Sequence, residues 1–120
     1  MRGAALLLLA TLVAAAPAAS QPVEAGSGVV LRAVDRLTGQ RRDIEMPGRS
    51  VATFERMEVE HAECRFPAGN PSGDAYALLQ VRDTGDESVL FRGWMIASAP
   101  ALSALDHPRY DIWVLRCTTS

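Results

Sequence analysis

The sequence predicts an all-β domain: a small single-domain sandwich or barrel of six to seven strands, with one short helix before the last strand. Three features predict it. Beyond residue 28 the apolar residues fall into short runs with period-two alternation. Turn-forming Gly, Pro, Asn and Asp separate these runs, and no long stretch carries the 3.6-residue period of a packed amphipathic helix.

Taken in order, Val29 to Asp35 is the first strand, and Leu37-Thr38-Gly39-Gln40 supplies a turn. Arg41 to Met46 is more polar, as an edge strand tolerates, and Pro47-Gly48 ends it. Val51 to Phe54 and Met57 to Phe66 follow. The second of these changes phase: Met57 and Val59 share one face, whereas Ala62, Cys64 and Phe66 share the other. One extra residue near His61, a β-bulge, reconciles the two halves. The stretch 67–73, reading PAGNPSG, is a loop by composition. In Asp74 to Arg82, the residues Ala75, Ala77, Leu79 and Val81 line one face, and Tyr76 and Leu78 occupy the other. Both faces are therefore expected to be covered near the middle. Asp83-Thr84-Gly85-Asp86 is a hairpin turn, and Val89 to Ala97 is the next strand. Ser98 is placed to cap a helix over Ala99 to Leu105, with Pro100 in its first turn and Pro108 beyond its end. Tyr110 to Cys117 is apolar on both faces and reads as a central strand, with Trp113 inside.

The chain has 120 residues, 14 of them acidic and 12 basic, for a formal net charge of −2. That balance excludes a strongly basic nucleic-acid binder and a charge-dominated disordered chain, so no nucleic-acid partner is expected. The apolar excess is local: 15 of the first 20 residues are hydrophobic. Arg2, the apolar run Ala4 to Ala16 and the small residues Ala18, Ala19 and Ser20 follow the order of a secretory signal peptide. The run is shorter than the ~20 residues that span a bilayer. Cleavage after Ser20 or after Ala18 satisfies the small-residue requirement, and Gln21 is taken as the mature start. The expected organisation is a signal peptide over 1–20, a flexible lead-in over 21–28, a β domain over 29–117 and a tail over 118–120. The mature chain is expected in the periplasm or outside the cell, with no transmembrane segment. Every basic residue is Arg, and codon bias explains that without appeal to function.

Cys64 and Cys117 are the only cysteines, and an exported chain with an even count favours a disulfide between them. A competing arrangement would use His61, Cys64, His107 and Cys117 as zinc ligands, although only half of a zinc spacing is present. Phosphate-loop, His-Glu-x-x-His and Gly-x-Ser-x-Gly patterns do not occur, and no cofactor is expected.

The densest polar cluster is Asp106, His107, Arg109, Tyr110 and Asp111, near Trp94, Ser98 and Ser103. Three uses can be weighed. A small hydrolase would take Ser98 or Ser103 as nucleophile, His107 as base and Asp106 or Asp111 as orienter. A purely structural loop lock would pair Asp106 or Asp111 with Arg109 and satisfy a backbone carbonyl with His107. A recognition surface would use Trp94, His107, Arg109 and Tyr110 as anchors, because Trp, Tyr and Arg supply most of the energy at binding sites. The acidic run Glu55, Glu58, Glu60 and Glu63 reads as a solvated face.

Cys64-Arg65-Phe66-Pro67, Gly73-Asp74-Ala75, Phe91-Arg92-Gly93-Trp94-Met95 and the long block running to Cys117 resemble an uncharacterised family of small exported bacterial proteins, catalogued only as a domain of unknown function. The resemblance covers residues 29 to 117. It implies a secreted single domain with a cysteine pair, and it brings no activity, cofactor or catalytic residue. The expected function is thus an exported, non-catalytic binding or structural domain with a recognition surface around residues 94–111. Its partner would be another envelope protein or a cell-wall component.

Overall fold

The computed structural model describes residues 3–15 and 21–120. The proposed cleavage residues and Arg2 lie outside them, and the apolar leucines Leu6, Leu7, Leu8, Leu9 and Leu12 are exposed, apart from the core. Eight strands follow: β1 (Val23–Ala25), β2 (Gly28–Asp35), β3 (Arg41–Pro47), β4 (Ser50–Phe54), β5 (Met57–Pro67), β6 (Tyr76–Asp83), β7 (Val89–Ile96) and β8 (Tyr110–Thr118). The lead-in over 21–28 is therefore not free chain, since β1 pairs with β5 from Val23 opposite Pro67 to Ala25 opposite Arg65.

The strands form two antiparallel sheets. The larger runs β1-β5-β6-β7, with β4 also paired along β5, and the smaller runs β3-β2-β8. The two pack face to face as an open sandwich. Alternation decides which side chains face the interior. Val29, Leu31 and Ala33 point inward from β2, Ala77, Leu79 and Val81 from β6, and Ile112 and Val114 from β8. The polar strand β3 lies at a sheet edge, as its composition predicts. β8 does not take the central place expected of it: β2 is the middle strand of the small sheet, and β8 flanks it. Trp113 consequently lies on the outer surface, 40% exposed, rather than in the core.

Of three bulges, one leaves Leu90 as the extra residue of β7 against β6, and the other two set the register of the cysteine-bearing strands. On β5 the pairing with β6 steps from His61 to Glu63, which leaves Ala62 unpaired. Met57, Val59 and His61 then face inward before the step, and Cys64 and Phe66 face inward after it, as the phase change in the sequence requires. On β8 the pairing steps from Val114 to Arg116, so Leu115 is the extra residue and Cys117 returns to the interior. Cys64 and Cys117, thus aimed, form a disulfide that ties the large sheet to the small one. Above it the chain crosses from β1 to β2 at Gly26, where an added Cβ would come within 2.7 Å of the Thr118 carbonyl oxygen.

The helix expected over Ala99 to Leu105 is a single 3-10 turn over Pro100–Ser103, and no side chain caps it. Ser98 has another commitment, described below.

The bridge closes a separation of 53 residues, for which the loss of chain entropy on cross-linking corresponds to about 4 kcal/mol. Replacing both cysteines with alanine should lower the unfolding free energy by roughly that amount in denaturant titration. Thiol alkylation of the native protein without reductant should label neither cysteine.

Candidate functional site

Strand alternation carries one charged residue into the interior. Val29, Leu31 and Ala33 alternate inward along β2, and the next position on that face is Asp35, which is 0% exposed. A buried carboxylate must be paired and hydrogen-bonded. Arg109, just before β8, supplies the partner in a two-pronged contact: Nε donates to Oδ1 at 3.1 Å and Nη2 to Oδ2 at 2.9 Å. The Leu37 amide also donates to Oδ1, at 2.9 Å, and so forms the turn into β3. Those Arg109 hydrogen bonds, opposed by burial and aided by the Leu37 amide, hold the Asp35 carboxyl well below the usual carboxylate range.

The neighbouring residues extend this lock. Arg36 donates to the His107 carbonyl at 3.2 Å and to Asp111 Oδ2 at 2.9 Å. His107 Nδ1 accepts the amides of Arg109 and Tyr110 at 3.0 and 3.1 Å, so the imidazole caps the start of β8. Its ring stacks on Tyr110, with centroids 5.1 Å apart, while the Arg109 guanidinium also lies over Tyr110, 5.1 Å from the centroid. Glu55, from the tip of the β4–β5 hairpin, approaches Arg109 Nη2 to 3.6 Å.

At the other end of the segment linking β7 to β8, Asp74 accepts from the Ser98 amide at 2.9 Å and from the Ser98 hydroxyl. Burial opposes ionisation of Asp74, but these bonds and the Ala75 amide outweigh it and depress its carboxyl. Leu105 is buried in the core between the two anchors. The linking segment is thus held at its start, middle and end.

A second feature lies on the outer face of the large sheet. Tyr76 stands opposite Ile96, and Leu78 opposite Trp94. Together with Val23 and Arg65, the residues Tyr76, Trp94 and Ile96 line a shallow apolar depression. Trp94 is 36% exposed. The Arg65 guanidinium sits 5.2 Å above its ring and is steadied by Glu63 at 2.9 Å.

The sequence-derived cluster therefore divides. Trp94 belongs to the exposed platform, whereas His107, Arg109 and Tyr110 belong to the lock, with Tyr110 buried. The lock also uses partners other than those expected. Arg109 pairs with Asp35 rather than with Asp106 or Asp111, Asp111 pairs with Arg36, and His107 accepts amides through its ring. Asp106 is exposed and takes no hydrogen bond among the described residues. The hydrolase arrangement fails on geometry, because the Ser98 hydroxyl is given to Asp74 and the His107 Nδ1 lone pair to backbone amides. Ser103 lies in the 3-10 turn and makes no hydrogen bond to His107. The zinc arrangement fails as well: Cys64 and Cys117 are bonded to each other, and His61 Nδ1 lies 2.9 Å from the Pro47 carbonyl. No group of three or more His, Cys, Asp or Glu among the described residues is arranged to hold a metal.

Sequence reasoning missed Asp35, Asp74, Arg65 and Tyr76, and it assigned Glu55 to a solvated face. The signal for Asp35 is the unbroken inward alternation that ends on a carboxylate. For Asp74 and Arg65 the partners come from distant strands, and local spacing carries no trace of them.

These features define a disulfide-clamped β-sandwich with a charge-locked linking segment and an exposed aromatic platform. The chain belongs to the family described as uncharacterized protein conserved in bacteria (DUF2155), whose model matches residues 29–117. It is similar to the uncharacterized protein RP359 of Rickettsia prowazekii, 25% identical over 88 residues that cover 71% of this chain and 57% of that relative. The chain thus spans little more than half the length of that relative. No solved structure matches it. No helix among the described residues is long and apolar enough to cross a membrane.

Removing the guanidinium from Arg109 leaves a buried carboxylate unpaired, whereas the Arg32–Asp43 pair is solvated on both sides. Arg109→Ala should therefore lower Tm several-fold more than Arg32→Ala. The depressed Asp35 carboxyl stabilises the fold above the ordinary aspartate value of about 3.9, and this contribution disappears as pH falls through the lower folded-state value. Acid unfolding followed by circular dichroism should show a steep loss in the wild type and a shallower one in Arg109→Ala.

Proposed function

We propose that the protein is an exported, non-catalytic binding domain of the periplasm or cell envelope, and that it recognises a protein partner through the outer face of its large sheet. The observation that carries this reading is Trp94, half-exposed on a rigid strand with Arg65 held over its ring. Trp, Tyr and Arg, clustered with aliphatic neighbours and placed on a sheet rather than a loop, have the make-up of a binding hot spot. The order of residues in the leader supports export. So does the disulfide, which is favoured in an oxidising compartment. The commitment of Ser98, His107 and both cysteines to structural bonds supports a non-catalytic role.

Compared with the sequence-based surface over residues 94–111, the proposed platform keeps Trp94 and replaces His107, Arg109 and Tyr110 with Arg65, Tyr76 and Ile96. Photo-crosslinking in the living bacterium tests it. A crosslinker at position 94 should give one discrete protein adduct that Arg65→Ala with Tyr76→Ala removes, and a crosslinker at Arg32 on the other sheet should not give it. Equal adducts from both positions would overturn the reading, and capture of glycan in place of protein would reassign the platform to the cell wall.

A further inference from the structure

The outer face of the large sheet is built of columns whose charges differ in sign. On β5 the outward residues are Glu58, Glu60, Glu63 and Arg65. On β6, Arg82 stands opposite Glu58, Gln80 opposite Glu60, Leu78 opposite Glu63 and Tyr76 opposite Arg65. On β7, Arg92 stands opposite Gln80, Trp94 opposite Leu78 and Ile96 opposite Tyr76. Arg92 is the only charged residue of β7. An acidic column and a basic one thus flank a strip that is uncharged from Tyr76 to Gln80.

Two of these charges have no counter-ion. Glu60 and Arg92 are both exposed, and neither makes an ion pair among the described residues. Arg92 donates Nε to Gln80 Oε1 at 3.1 Å, which leaves its remaining N–H groups for another acceptor. With Ala62 and Leu78, the two residues line one shallow hollow. Arg65, by contrast, is already placed over the Trp94 ring and carries its counter-ion, Glu63. An apolar partner seated here would bury Glu60 and Arg92 unpaired, at a large cost. The occupant must instead bring a cation over β5 and an anion over β7, on either side of an uncharged strip. This chain itself carries that pattern.

Given the reading of this face as a binding surface, on which the inference rests, we propose that its partner is a second copy of the chain, related by a two-fold axis running along β6. Rotation about that axis lays β7 of each copy over β5 of the other. Arg92 then meets the partner's Glu60 on both sides of the axis, across the ~10 Å that separates packed sheets. Residues on the axis face their own copies. Leu78 and Gln80 suit that position, because a leucine packs on a leucine and an amide both donates and accepts. An axis along β5 would oppose Glu60 to itself, and one along β7 would oppose Arg92 to itself. Area sets the strength of the dimer. Strands about 4.8 Å apart and residues about 3.4 Å apart give the four-strand face roughly 450 Å², against about 800 Å² per partner in a standard interface. The association is therefore reversible.

Sedimentation velocity of the purified protein over a range of concentrations, combined with charge reversal, tests the dimer. The wild type should pass from monomer to dimer as concentration rises. Arg92→Glu and Glu60→Arg, each alone, set like charges together at both symmetric contacts and should weaken the dimer by on the order of tenfold or more. The double variant restores opposite signs and should restore the wild-type association, a rescue that misfolding of the single variants would not allow. A photo-crosslinker at position 94 should give an adduct of twice the chain mass. Monomer at every concentration, single reversals that leave the dimer intact, or a double variant as weak as the single ones would overturn the proposal. An adduct with a different protein would overturn it while leaving the face a binding surface, and the absence of any adduct would overturn both.

Discussion

The rest of the structure depends on one buried carboxylate finding its cation. β2 is the middle strand of the small sheet, and its inward face ends in Asp35. An isolated ionised carboxylate in such a place costs far more than a small domain can offset. Arg109 must therefore reach it, and that requirement fixes where the chain enters β8. From this follow the backbone bond from the Arg36 amide to the Arg109 carbonyl, the alignment of Asp111 with Arg36, and the imidazole cap on the first residues of β8. A set of side chains that reads as chemistry in one dimension is, in three, the means by which one polar residue is tolerated at the edge of the core.

The large sheet poses the complementary problem. β6 carries apolar residues on both faces, but the sandwich covers only one of them. Tyr76 and Leu78 are left on the outside beside Trp94 and Ile96, and the aliphatic stem and planar head of Arg65 cover part of the indole. The Trp94 face is thereby shared between solvent and an arginine that Glu63 holds in place.

Much of this was legible in the sequence. Period-two alternation located all seven of the longer strands, turn residues located the breaks, and the phase slip near His61 announced the bulge at Ala62. The cysteine pairing followed from number and compartment. Other features were hidden for identifiable reasons. The place of β8 in its sheet depends on which strands neighbour it, and apolar residues on both faces do not distinguish a central strand from one at a sheet edge. Ser98 has the composition of a helix cap, but a carboxylate 24 residues away competes for its hydroxyl and wins. The direction of Asp35 is legible in principle, because the alternation that identifies the first strand also turns its last residue inward. The recognition cluster was assembled from residues adjacent in sequence, whereas the lock and the platform are both built across strands.

The bulges of β5 and β8 tie the disulfide to strand register. Cys64 and Cys117 each follow the single extra residue of their strand, Ala62 or Leu115, and each faces the interior only because that residue is there. A strand zipped without its bulge turns its thiol to the outside, on the wrong side of the sheet from its mate. In the folded domain the bridge is compatible only with the bulged register of β5 and β8, so it marks that register as much as it clamps the two sheets.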